Sequence, residues 1–315
     1  MRKTCYEAEV RRSGATAEPK GLRTDRESPH VKSDIVRCWE FGDVRQEYES
    51  RDAILYGLGI GLGGHPLDVN ELRFVTESRL EHPLPTFATV LAKPPLDDLF
   101  EAGEIDRVKV VQGEQRCLFD RPLPLAGEVV GRARVTGVWD KGTERGALIR
   151  WDHELFDAHS GERYCRSRSI TFARGDGGCG GDTKPPPAPH AVPSGPAEAF
   201  YDHPTVPQAA LIYRQLGDHN PLHSDPEVAL KAGFGRPILH GLCTYGIAGW
   251  AVIRTFLNSR VENLVELNCR FSKPAFPGET LRTEMWRHAN AIAFRVRALE
   301  RDVITIDNGH ALIQN

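Results

Sequence analysis

"YRQLGDHNPLHSDPEVALKAGFGRPILHGLCTYG", Tyr213 to Gly246, contains two helix signals, a stiff polar turn between them and the start of a third, apolar helix. Asp225-Pro226 is a helix start, with Asp as N-cap and Pro at the first helical position, and Gly233 is placed to end that helix after two turns. Upstream, "QAALIYRQLGD" from Gln208 is helix-like. The residues from Asp218 to His223 are therefore short, anchored at both ends and stiff. Pro221 fixes its own φ and biases Asn220 toward an extended conformation, which can project Asp218 and His223 to one side although they are five residues apart. Downstream, Gly241 falls in the first turn of the apolar helix, where backbone N–H groups lack intrahelical partners and carry partial positive charge.

Each of these features has an ordinary explanation. Asp, Asn, Pro and His all favour turns, and a glycine can pack a helix closely against a sheet. Together they suggest chemistry. No nucleophile signature such as G-x-S-x-G accompanies His223, which disfavours a covalent triad. An acid and an imidazole without a nucleophile suit the positioning and deprotonation of water, and an N–H at a helix start suits a developing oxyanion. That leaves hydration, its reverse, or hydrolysis.

The remainder of the chain supplies a frame. Residues 1–37 are charged and aperiodic and read as a disordered tail. "RGDGGCGGDTKPPPAPHAVPSGPAEA", from Arg174, reads as a Gly/Pro-rich linker over 174–199. It separates residues 38–173 from 200–315. Both parts open with a helix-like segment, "SRDAILYGLGIGLG" and "QAALIYRQLGD", and both later show proline, Gly-Glu and a strand. Alternation marks the strands: Ile292, Phe294, Val296 and Ala298 share one face. The expected class is α+β, with each half a curved antiparallel sheet wrapped around one apolar helix.

Composition narrows the partners. Among 315 residues, 40% are apolar and 26% charged, enough for a sizeable core, and a net charge of −3 offers no global field for a nucleic acid. Seven dispersed cysteines form no C-x-x-C pair or zinc-type spacing, so no metal is expected and a reducing, cytoplasmic setting is. The apolar run Ile238 to Leu257 is interrupted by His240, three glycines and Arg254, which favours a buried helix over a membrane span. The N-terminus shows no apolar leader pattern and the C-terminus no Ser-Lys-Leu address.

The stretch Tyr213 to Gly246 strongly resembles the type-2, (R)-specific enoyl-CoA hydratases with the MaoC-like hot-dog fold. "RDAILYGLGIG", "LPTF", "VVQGEQRCLFDRPLP", "VWDKG" and "RGDGGCGG" extend the similarity to the double hot-dog members, including the hydratase part of peroxisomal multifunctional enzymes, over residues 38–312. The resemblance implies a non-catalytic N-terminal hot-dog, its helix shortened or displaced to admit a long acyl chain, and a catalytic C-terminal one. It implies that Asp218 and His223 hold the water added to a trans-2-enoyl-CoA, giving a (3R)-3-hydroxyacyl-CoA, with Asn220 orienting them and the Gly241 amide polarising the thioester carbonyl. Either Asp218 or His223 can take the first proton. Gln112, Gly113, Lys141, His219, Pro221, Leu222 and Phe271 would contact the acyl-CoA, no separate cofactor being required. The family's His-Gly-Glu-Gln is here Gln112-Gly113-Glu114-Gln115, which implies altered affinity before altered chemistry. Lys141 is equally well explained as an exposed turn lysine. An acyl-CoA thioesterase on the same fold and a non-catalytic acyl-CoA-binding protein are the alternatives, and a homodimer is compatible with the fold.

Overall fold

The structure, a computed structural model, describes residues 31–184 and 186–314. Its first half contains α1 (Ser33–Arg37), β1 (Val44–Tyr48), α2 (Ser50–Gly59), α3 (Val69–Leu72), α4 (Leu96–Ala102), β2 (Val110–Phe119), β3 (Gly127–Asp140), β4 (Ala147–Asp157) and β5 (Arg163–Ala173). The second contains β6 (Ala199–Pro204), α5 (Ala209–Tyr213), α6 (Pro226–Lys231), α7 (Gly241–Phe256), β7 (Leu264–Phe271), β8 (Thr280–His288), β9 (Ala291–Ala298) and β10 (Val303–Ile313).

The strands form one antiparallel sheet ordered β1-β3-β4-β5-β2-β7-β10-β9-β8-β6. Read outward from the seam, the halves run 2-5-4-3-1 and 7-10-9-8-6, so each strand has a counterpart. The seam pairs β2 with β7, from Glu114 opposite Arg270 to Leu118 opposite Glu266. In β9 the expected alternation is complete: Ile292, Phe294, Val296 and Ala298 are all fully buried. Removing each large member from water contributes roughly 1.5–3 kcal/mol.

The first-half helix is shortened, as the resemblance implies, so the reading of one comparable apolar helix in each half is refined. Among the described residues only the second half wraps a long helix of its own, α7, in which every residue from Cys243 to Ile253 is buried. In the first half, α2 follows β1 as α5 follows β6, so it matches the short α5. Where a counterpart of α7 would stand, the chain forms a 3-10 turn at Pro85–Thr89 and then α4. Pro85, Pro94 and Pro95 each remove an N–H donor and interrupt helical geometry there. The vacated volume is filled from the other half: α7 packs on the Pro85–Thr89 turn. A Cβ added at Gly246 would lie 2.6 Å from the Tyr56 hydroxyl, and this glycine is what lets α2 approach α7.

The segment boundaries also shift. Val31 and Val36 are buried against Leu99, Phe100 and Ile105, so the expected tail boundary at 37 cuts through a packed element, while residues 1–30 lie outside the described residues. Among the described residues of 174–198 there is no helix or strand, yet the segment is strapped down. Asp182 accepts the Val138 N–H at 2.8 Å and pairs with Arg37, and the Trp139 indole donates to the Lys184 carbonyl at 2.6 Å. No described helix is long and apolar enough to cross a membrane.

Candidate active site

The polar turn is built largely from its own backbone requirements. Gly217, at φ +104°, reverses the chain after α5, a conformation that costs glycine little. Asn220 is extended (φ −52°, ψ 121°), as Pro221 demands, and its Oδ1 accepts the Leu222 N–H at 3.0 Å, capping a 3-10 turn over Pro221–His223. Asp225 caps α6 by accepting the Glu227 N–H at 2.8 Å. Leu222 is buried against Ala229, Ala232 and Ile238, which anchors the turn from below.

The hydrogen bonds decide the imidazole tautomers. Nδ1 of His223 lies 2.9 Å from the Ile238 carbonyl, which can only accept, so Nδ1 carries the proton and Nε2 of the neutral ring keeps its lone pair. Nε2 of His240 lies 3.2 Å from the Asp218 carbonyl and by the same logic donates, leaving Nδ1 buried and without a hydrogen-bond partner. The two rings stack, centroids 3.7 Å apart. Ligand atoms of Asp218, His223 and His240 lie within 4.8 Å of one another, a spacing that one water can bridge and that a cation could also occupy.

Electrostatics set both protonation states. Burial alone would raise the Asp218 carboxyl, but the Lys93 ammonium, His240, His223 and the Asn220 N–H outweigh it and the net shift is downward. Burial lowers His223, only partly opposed by Asp218 and the Ile238 carbonyl. His240 is pushed down to about 3 by burial and by His223. Near neutrality the site holds a carboxylate beside two neutral imidazoles.

Gly241 begins α7 directly after His240, and no described group accepts its N–H. A Cβ there would stand 3.3 Å from Phe271 and 3.4 Å from Gln112, so the backbone is open between these two side chains. Gly113 lies at a bulge in β2, where a Cβ would meet the Ile170 carbonyl at 3.0 Å. The Gln112 amide donates to the Glu114 carbonyl and to Gln115 Oε1, leaving its own Oε1 unengaged among the described residues.

Asp218, His223, Gly241, Gln112, Gly113 and Phe271 are thus drawn toward one site, with Leu222 as its buried anchor. Other candidates differ from expectation. Asn220 holds Asp218 through its backbone N–H at 3.3 Å, while its side chain caps the turn and does not reach His223. His219 and Pro221 are exposed at the rim. Lys141 follows β3, its N–H bonding the Gly146 carbonyl and its ammonium standing 4.7 Å over the Phe172 ring, with no described contact to the acid–imidazole pair.

Three contributors escaped the sequence reading as site residues. His240 had a signal, an imidazole beside the helix-start glycine in "PILHG". Tyr213, its ring 4.9 Å from His240, reads as core. Lys93 reads as a turn lysine before two prolines; nothing local ties it to a turn 125 residues away.

Comparison with known proteins identifies a family for both halves. Residues 190–309 match the MaoC like domain and residues 46–175 the MFE-2 hydratase 2 N-terminal domain. An enoyl-CoA hydratase of Mycobacterium tuberculosis is 36% identical, with 90% of this chain and 99% of that protein covered. The peroxisomal enoyl-CoA hydratase 2 of Arabidopsis thaliana is 34% identical, covering 86% and 92% respectively. The crystal structure of a MaoC-like dehydratase from Phytophthora capsici superposes with a TM-score of 0.77 at 29% identity, covering 90% of this chain and 99% of that one.

Proposed function

This chain belongs to the MaoC-like hydratase and dehydratase family, and from that premise we propose that it adds water to a trans-2-enoyl-CoA, giving the (3R)-3-hydroxyacyl-CoA, and catalyses the reverse. The observation that carries the proposal is the convergence of Asp218, His223 and His240 within 4.8 Å, with the open amide of Gly241 next in the chain.

Water held between the Asp218 carboxylate and Nε2 of His223 attacks C3 while one of its protons passes to that pair. The electrons of the double bond move toward the thioester carbonyl, whose developing oxyanion is stabilised by the Gly241 N–H at the positive end of α7. C2 then takes a proton from the pair, and the enolate collapses to the saturated thioester. The depressed His223 pKa keeps this base unprotonated at neutral pH, as hydration requires. No electron leaves the substrate, so the proposed reaction includes no redox cofactor.

Gln112 and Phe271 flank the Gly241 amide, and so the thioester carbonyl, in this arrangement. Mixing the protein with crotonyl-CoA is expected to bleach the conjugated enoyl absorbance and to yield the (3R) product on chiral analysis. Free CoA release without a 3-hydroxyacyl product would support the thioesterase instead. Binding without either reaction would support the non-catalytic reading.

A further inference from the structure

On the outer face of the seam, remote in sequence from the acid–imidazole turn, lies a second cluster that hydration leaves unused. His190 in the linker stacks on His310 of β10, ring centroids 4.0 Å apart and planes 10° from parallel. The Asn308 amide donates to the His190 carbonyl at 2.6 Å, holding the linker against β10. Nδ1 of His310 is buried and makes no hydrogen bond, yet stands 3.5 Å from Oε1 of Glu266 on β7. The Asn268 amide donates to that carboxylate and orients it.

We propose that His190, Glu266 and His310 form a binding site for a divalent cation of the zinc class, which clasps the linker to the seam between the two halves. One ligand atom from each of the three lies within 4.8 Å of the others. Tetrahedral coordination at zinc bond lengths places neighbouring ligand atoms roughly 3.3 Å apart. The His310 to Glu266 separation is already close to that value, and binding turns the exposed His190 ring out of its stack with His310, since an imidazole ligates in its ring plane. Two imidazoles and one carboxylate match zinc, with the fourth position left to water. The Asn268 contact resembles the outer hydrogen bonds that orient metal-binding carboxylates.

Ligand chemistry chooses the class of ion. Magnesium and calcium prefer sets of oxygen ligands and gain little from imidazoles, so the site favours an ion that binds imidazole nitrogen strongly.

The test uses the full chain, stripped by a chelator and dialysed against zinc, with retained metal counted per chain and cobalt(II) absorption as a spectroscopic check. His190→Ala, at an exposed linker position, and His310→Gln are each expected to lose one ion per chain relative to the parent. The loss of affinity should be at least the roughly 10- to 100-fold that removal of an outer partner alone costs. Zinc should slow proteolysis of the 174–199 linker in the parent and not in His190→Ala, while crotonyl-CoA hydration by His190→Ala stays at the parent rate. The proposal is overturned if no zinc is retained, if His190→Ala retains as much as the parent, or if the retained ion disappears only with His240→Ala.

Discussion

The turns that follow α2 and α5 occupy equivalent places in the two halves, yet only one is a site. Both carry a Pro-Leu step, Pro66-Leu67 and Pro221-Leu222, and both lead into a helix capped by an aspartate. Asp68 accepts the Asn70 N–H at 2.9 Å as Asp225 accepts that of Glu227 at 2.8 Å. Their surroundings differ. Leu67 is 81% exposed and Leu222 only 5%. In the first half His65 spends its Nδ1 accepting the Leu67 N–H at 3.3 Å within its own turn, whereas His223 is buried beneath His240 at the start of α7. Turn chemistry alone therefore does not make a site. A helix end and a second imidazole packed over the turn do, and the first half has neither where its prolines stand in place of a counterpart of α7.

The sharpest way to break this contrast is to remove the imidazoles one at a time. His223→Ala and Asp218→Asn are expected to lower kcat for enoyl-CoA hydration by about 10²- to 10⁴-fold, the usual range for loss of a positioned acid or base. His65→Ala should leave it unchanged. Steady-state rates with crotonyl-CoA decide the matter, and comparable losses at His65 and His223 would erase the distinction between the turns.

The second largest effect lies in the anchors beneath the turns. Leu222→Ala should destabilise the protein by about 2–5 kcal/mol, as buried leucine truncations do. Leu67→Ala should fall within about 0.5 kcal/mol of the parent. Urea unfolding of both variants measures this, and because Leu222 supports the acid–imidazole turn its variant should also lose activity before it unfolds.

These two contrasts show what was legible in the sequence. The Asp225-Pro226 start, the extended Asn220 before Pro221, the alternation in β9 and the opening of α7 at Gly241 are local signals, each specified within a few residues, and the structure contains all of them. The two-part organisation was also legible, because the order of elements recurs. The choice of β2 and β7 as seam partners was not, since residues 114–118 and 266–270 carry no local mark of their partnership. Nor was the packing of α7 onto the other half's 3-10 turn, which depends on volume left empty more than 150 residues earlier. Nor was Pro66-Leu67-Asp68, the first half's echo of the acid–imidazole turn, since only the correspondence of α2 with α5 in the fold marks its place.

A third test compares how the halves respond to acid. His153 in the first half and His203 in the second are each lowered to about 4, by burial above all, and His240 to about 3. A base with a depressed folded pKa is protonated first in the unfolded chain. Stability from these groups is therefore intact above the ordinary imidazole value of about 6.5 and is lost as pH falls from there toward the folded values. Each should contribute a slope approaching about 1.4 kcal/mol per pH unit within that window. Unfolding between pH 7 and 4.5 should follow this trend, and His153→Gln should reduce the slope if the variant folds. A flat profile would mean that these imidazoles are hydrated in solution.

The smallest effect asks whether the first half contributes charge to the site as well as a wall. Lys93 stands in the segment that lacks the long helix, and after burial its ammonium is the largest influence on Asp218; it also lowers His223 and His240. Replacing it removes a cation that disfavours protonation of all three groups. In Lys93→Gln the acid limb of kcat/KM should therefore move to higher pH, by less than about one unit, because a partly exposed charge is screened by solvent. The sign is the decisive part. Raising the ionic strength should shift the parent in the same direction while leaving the variant nearly unmoved, since salt screens the interaction that the substitution deletes. A shift toward lower pH, or equal salt responses in the two proteins, would show that Lys93 does not act on the pair through its charge and would confine the first half's part to Gln112, Gly113 and the packing beneath α7.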